Sequence, residues 1–118
     1  MKINSFEQLD VWREAHSLVL EIYQITGHFP AEERFGLISQ MRRAAVSVPA
    51  NIAEGFKRRG SNDKVRFYNI AQSSLEELRY YIILCQDLRY LGSYRDFKGK
   101  FDVIAKRLNR LIGIILGR

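Results

Sequence analysis

Eleven basic residues carry the strongest chemical suggestion in this sequence: Arg42, Arg43, Lys57, Arg58, Arg59, Lys64, Arg66, Lys98, Lys106, Arg107 and Arg110. They fall in two stretches. Residues 42–66 hold seven Lys or Arg against two acids, and residues 95–118 again hold seven against two, within a chain of net charge +6. Clustered cations of this kind neutralise phosphates, and binding built on them tolerates many sequences and weakens steeply with salt. No helix-turn-helix spacing, zinc finger or aromatic sheet platform accompanies them, so backbone contact rather than base reading is expected. The run Lys57-Arg58-Arg59 also suits the negative end of a helix dipole, which gives it a structural explanation beside the phosphate one. Lys98, Lys106 and Arg110 cannot all be explained by capping; Lys106 and Arg110 lie one helical turn apart with Arg107 beside them, and this face is either simply solvated or an electrostatic footprint for nucleic acid.

A second constellation is polar rather than basic. Arg43, Ser47, Asn51 and Glu54 recur along one side of a helical pattern, with Arg58 one turn further on. In an antiparallel hairpin, Glu76 or Glu77 of the next segment could pair with Arg43. The expected role is a polar seam that fixes helix register, with its hydrogen bonds satisfied across the interface. Catalytic sets are missing. His16 reads as a surface residue and His28 as a turn residue, with no spaced partners for a metal or a proton relay. Cys85 lies on an apolar face and reads as a buried, inert thiol. Glu76 and Glu77 are adjacent and point apart, and the glycines follow no phosphate-loop spacing. The sequence therefore predicts no enzyme, no metal and no cofactor.

The elements that must position these residues are helical. Ser5 with Gln8 forms a capping box, and Val11, Ala15, Leu18, Ile22 and Ile25 recur at helical spacing up to Gly27. Pro30 with Glu32 and Glu33 opens a second helix, whose stripe runs Leu37, Met41, Ala44, Ala45, Val48, Ile52 and Phe56 to Gly60. Pro49 falls inside that stripe and is expected to kink it. Ser61 caps a third helix with Phe67, Ala71, Ser74, Leu78, Tyr81, Cys85 and Leu88 on one face, Leu75 and Ile82 beside it, and Gly92 at its end. The fourth stripe is Phe97, Phe101, Ile104, Leu108, Leu111 and Ile115. These patterns predict one all-α domain over residues 1–118, an antiparallel up-down-up-down four-helix bundle with helices near 6–26, 31–59, 62–91 and 94–117.

Apolar side chains exceed what one bundle can bury. Trp12, Tyr23, Phe67, Tyr68, Tyr80, Tyr81 and Tyr90 cannot all point inward, and Ile112, Ile114, Ile115 and Leu116 surround the end of the fourth helix. Self-association is the expected use of such a surplus. At 118 residues with 47% hydrophobic and 27% charged, the chain is neither disordered nor membrane-spanning in character. A lone cysteine and an N-terminus without a signal-peptide apolar run point to a reducing, cytoplasmic setting.

Three stretches carry a family resemblance. Phe6-Glu7-Gln8-Leu9-Asp10-Val11-Trp12 is one. Phe35-Gly36-Leu37 with the run from Gln40 through Arg42-Arg43-Ala44-Ala45-Val46-Ser47-Val48-Pro49 to Glu54-Gly55 is the second, and Ala71-Gln72-Ser73-Ser74-Leu75-Glu76-Glu77-Leu78 the third. Over nearly its whole length the chain resembles the four-helix bundle proteins encoded in intervening sequences of bacterial 23S ribosomal RNA genes. It is also similar to the accessory variability protein of diversity-generating retroelements. The resemblance implies a homopentamer with a basic surface that binds nucleic acid, RNA before DNA, and in the retroelement relatives a reverse transcriptase as protein partner.

Overall fold

The computed structural model describes residues 2–118 and contains four helices: α1 (Asp10–Thr26), α2 (Leu37–Lys57), α3 (Ser61–Asp87) and α4 (Arg95–Ile115), with 3-10 turns at Phe6–Gln8 and Ala31–Glu33. Each helix packs on the next, and α1 closes the square against α4. The result is an all-α up-down-up-down bundle, 44 × 25 × 24 Å. This topology sets the start of α1, the end of α2, the start of α3 and the end of α4 at one end of the long axis.

Several boundaries differ from the sequence expectation for local reasons. The Ser5–Gln8 capping box forms, but it caps the 3-10 turn and not α1. Leu9 is extended (φ −78°, ψ 127°), so α1 starts only at Asp10. Glu32 and Glu33 likewise sit in a separate 3-10 turn, and α2 begins after Gly36, whose φ of −110° and ψ of −108° are not helical. Gly60, not Ser61, occupies the N-cap of α3, without a side-chain cap. At its other end α3 stops five residues before Gly92. Arg89 adopts φ 64°, Tyr90 N–H donates to the Cys85 carbonyl at 2.9 Å and Arg89 N–H to that of Gln86 at 3.0 Å. This is a Schellman closure with arginine where glycine is usual. The same closure ends α4 on Gly117 (φ 75°). Pro49 is buried inside α2, which continues through it to Lys57.

The core is one cluster drawn from all four helices, with Ile22, Met41, Ile52, Leu78, Ile82, Cys85, Phe101 and Leu108 fully enclosed. The α3 stripe is rotated from the expected one. Tyr68 faces inward at 1% exposure, Phe67 is only half-buried, and Leu88 is exposed. In α4, Ile112 is buried, while Leu111 and Ile115 are half-buried. Gly55 explains Tyr68: a Cβ at position 55 would lie 2.6 Å from Tyr68 Cε1, so only glycine admits the ring.

Candidate nucleic-acid interface

The two basic stretches, remote in sequence, approach the same end of the bundle. Lys57 ends α2 and Arg58 and Arg59 follow it, Lys64 and Arg66 lie in the first turns of α3, and Arg107 and Arg110 lie toward the end of α4. Arg107 Nε is 2.7 Å from Glu14 Oε1 and its Nη1 3.6 Å from Asp10, near the start of α1. Gln72 bonds Asn109 at 3.0 Å, fixing the register of α3 against α4.

Not every cation there is free to meet a ligand. Lys64 Nζ donates to the carbonyls of Phe56 at 2.7 Å and Gly55 at 3.2 Å. It closes the C-terminus of α2, and burial pulls its pKa below the usual lysine value. Arg58 and Arg66 are paired with Glu54 (3.2 Å) and Asp63 (3.0 Å) on the surface, and both guanidiniums lie 4.5 Å from the Phe67 ring centroid. Lys57, Arg59, Lys106 and Arg110 are exposed and hold no ion pair among the described residues.

Three candidates stand apart from this end. Arg42 donates to Thr26 Oγ1 at 2.9 Å and to the Tyr23 carbonyl at 3.2 Å, and stacks over Tyr23 at 4.5 Å. It fastens the end of α1 to α2. Thr26 is itself buried, its hydroxyl donating to the Ile22 carbonyl at 2.6 Å. Lys98, in the first turn of α4, pairs with Asp102 at 2.8 Å, which raises its pKa and lowers that of the carboxylate. Arg43 is exposed on the outer α1/α2 face, beside Arg34, Phe35 and Val46.

The polar seam is shorter than the sequence suggests. Ser47 and Ser74 share a hydrogen bond of 2.7 Å across α2 and α3, and Asn51 Nδ2 donates to the Ser47 carbonyl at 2.8 Å and to its hydroxyl at 3.0 Å. Glu54 faces solvent with Arg58. Glu76 pairs with Arg79 at 3.2 Å and Glu77 accepts from Tyr81, so neither reaches Arg43. The reason is direction: both glutamates lie on the solvent side of α3. Arg79, which sequence reasoning passed over, is the better-connected residue. It is 17% exposed, reaches Asp102 at 3.0 Å and the Tyr94 hydroxyl at 2.8 Å, and covers Phe101. Its only signal in the sequence is a position next to Leu78 in the α3 apolar stripe.

Elsewhere the side chains serve packing. Exposed His16 stacks on Trp12, with 5.1 Å between ring centroids, and exposed His28 follows α1. Cys85 is fully enclosed, 3.5 Å from Met41 Sδ, and burial pushes its thiol up to about 11. Among the described residues no three His, Cys, Asp or Glu gather as metal ligands, and no helix is long and apolar enough to cross a membrane.

Comparison with known proteins agrees with this architecture. A crystal structure from Bacteroides thetaiotaomicron, of a protein with unknown function from the S23 ribosomal protein family, superposes with a TM-score of 0.76. It is 22% identical, and the match covers 86% of this chain and 97% of that one, a likeness of fold. No curated protein matches the sequence. Residues 7–110 match the family described as 23S rRNA-intervening sequence protein, a span that includes all four helices up to the last turn or so of α4. The chain belongs to the 23S rRNA-intervening sequence protein family.

Proposed function

We propose that this protein is a non-catalytic nucleic-acid adaptor that holds structured RNA by its phosphates at the basic end of the bundle. The observation that carries the reading is the convergence there of two cationic stretches separated by about thirty residues of net acidic sequence. The available aromatics favour a backbone-read ligand. Phe67 is covered by arginines, Phe56 by Lys64 and Trp12 by Phe6 and His16, so among the described residues these rings at this end offer no bare stacking platform for single-stranded bases. The setting proposed is the cytoplasm, with Cys85 reduced. A gel-shift titration against a structured RNA and a DNA duplex of equal length tests the reading. Binding at low salt that falls steeply with added salt, RNA before DNA, is the expected result; absence of binding at low salt overturns it.

The proposal includes self-association. Phe35, 90% exposed, lies with Tyr23, Val46, Arg34 and Arg43 on the α1/α2 face, which is apolar and basic. The outer face of α3 presents Glu76, Tyr80, Ile83 and Asp87 at helical spacing and is apolar and acidic. The two faces complement one another, and a contact between different faces of identical chains repeats head to tail, forming a ring where its rotation closes. The family resemblance supports five copies. Light scattering should give five times the 13.8 kDa chain mass, and a monomer removes the ring from the proposal. An alternative use of the Phe35 face is a protein partner such as a reverse transcriptase, whose binding would survive the salt that strips RNA.

A further inference from the structure

Arg58 and Arg66 come from different helices, yet their guanidiniums share one aromatic ring. Each guanidinium carbon lies 4.5 Å from the Phe67 centroid, so the two cannot be more than 9 Å apart. Cation–π contact holds each head group against the ring, and this removes side-chain freedom that a lone surface arginine would lose on binding. Successive phosphates of a nucleic-acid strand rise about 3.4 Å along the duplex axis and lie roughly twice that distance apart through space. We infer that Arg58, Phe67 and Arg66 form a clamp for two consecutive phosphodiesters of one strand, with Phe67 as a positioning residue that sets the spacing of the two cations. The inference rests on the nucleic-acid reading above and adds to it a site, its ligand and a role for an uncharged residue.

The surrounding groups fit a clamp that is loaded in reserve. Arg58 and Arg66 are paired with Glu54 and Asp63, whose side chains are 58% and 45% exposed. Surface pairs of this kind are weak and screened, so an incoming phosphate can displace the carboxylates without leaving a buried charge behind. Guanidinium forks also match phosphate oxygens bidentately, which lysine cannot do. Lys57 and Arg59 flank the site with no ion pairs of their own among the described residues and would extend the contact along the strand.

The test is a set of substitutions read by RNA-binding titration at fixed low salt, with folding checked by circular dichroism. Arg58→Gln and Arg66→Gln should each weaken binding about tenfold and make its salt dependence shallower. Phe67→Leu removes no charge and should still weaken binding roughly fivefold, whereas Phe67→Tyr, which keeps the ring, should bind as the unaltered protein does. Glu54→Gln and Asp63→Asn should strengthen binding. If Phe67→Leu binds normally while the arginine variants do not, the clamp is wrong and the phosphate reading stands. If neither arginine variant weakens binding, the clamp is likewise wrong. If the unaltered protein binds no RNA at low salt, the reading itself fails. Should Phe67→Leu not fold, phenylglyoxal modification of the unaltered protein replaces it. RNA should then protect Arg58 and Arg66 together, and protection of only one or neither overturns the clamp.

Discussion

At the scale of single residues, glycine shows how context sets the sign of one and the same substitution. Gly55 and Gly99 both lie inside helices, where glycine costs about 1 kcal/mol relative to alanine. At Gly99 an added Cβ meets nothing within 4 Å, so Gly99→Ala should stabilise the fold by about that amount. At Gly55 the Cβ would stand 2.6 and 2.9 Å from two atoms of Tyr68, a ring with 1% exposure and no room to retreat. Overpacking of this kind costs roughly 1–3 kcal/mol. Over most of that range it exceeds the propensity gain of about 1 kcal/mol, so Gly55→Ala should destabilise by up to about 2 kcal/mol. Urea unfolding of the two variants checks both signs. A destabilised Gly99→Ala would mean that position 99 is packed against something outside the single chain. The polar residues carry the same lesson. Arg42 and Arg43 are neighbours in sequence, but Arg42 is spent on Thr26 and the end of α1 while Arg43 is exposed.

At the scale of elements, Arg89 holds the left-handed conformation that ends α3, a geometry costing a side-chain-bearing residue about 1 kcal/mol or more. Arg89→Gly should therefore raise the midpoint of thermal unfolding, by an amount equivalent to about 0.5–1 kcal/mol. Part of the gain is offset by the greater freedom of glycine in the unfolded chain. An unchanged or lowered midpoint would mean that the arginine side chain contributes something its exposed position does not suggest. This terminus also marks where the sequence stopped being legible. Periodicity located four helices, because each stripe is long and the breaks at Gly27, Gly60 and the 88–94 segment are chemically plain. It misplaced the ends, because Leu9 and Arg89 break their helices through backbone angles that their residue types do not announce, and because the helix-start signals at Pro30, Glu32 and Glu33 belong to a 3-10 turn that Gly36 separates from α2. It also misjudged the α3 face. Phe67 and Tyr68 are adjacent aromatics, the less apolar tyrosine is the one enclosed, and the choice between them is made by Gly55 on another helix. The same limit applied to the site. Composition identified the cations, but whether one is free depends on partners across the bundle, as with Lys64 on the α2 carbonyls and Arg107 on Glu14.

At the scale of the whole molecule, topology turns a sequence pattern into a field. Two basic stretches alternate with two acidic ones along the chain, and an up-down-up-down bundle places the end of α2, the start of α3 and the end of α4 together. Most of the acids near that end are already engaged: Asp10 with Arg13 and Arg107, Glu14 with Arg107, Glu54 with Arg58 and Asp63 with Arg66. The uncompensated charge is thus carried by Lys57, Arg59, Lys106 and Arg110. Each cation that neutralises a phosphate contributes about 0.9 to the slope of log affinity against log salt on a duplex. Replacing these four by glutamine should accordingly reduce that slope by up to about 3.6 and lower affinity at every salt concentration. Replacing Arg89 and Arg95, exposed at the opposite end, should leave the slope unchanged. Arg42→Gln supplies the complementary control: it loses its bonds to Thr26 and Tyr23, so it should lower stability and leave the slope alone. Equal slopes for the variants at the two ends would mean that nucleic acid is drawn by net charge rather than by this end of the bundle.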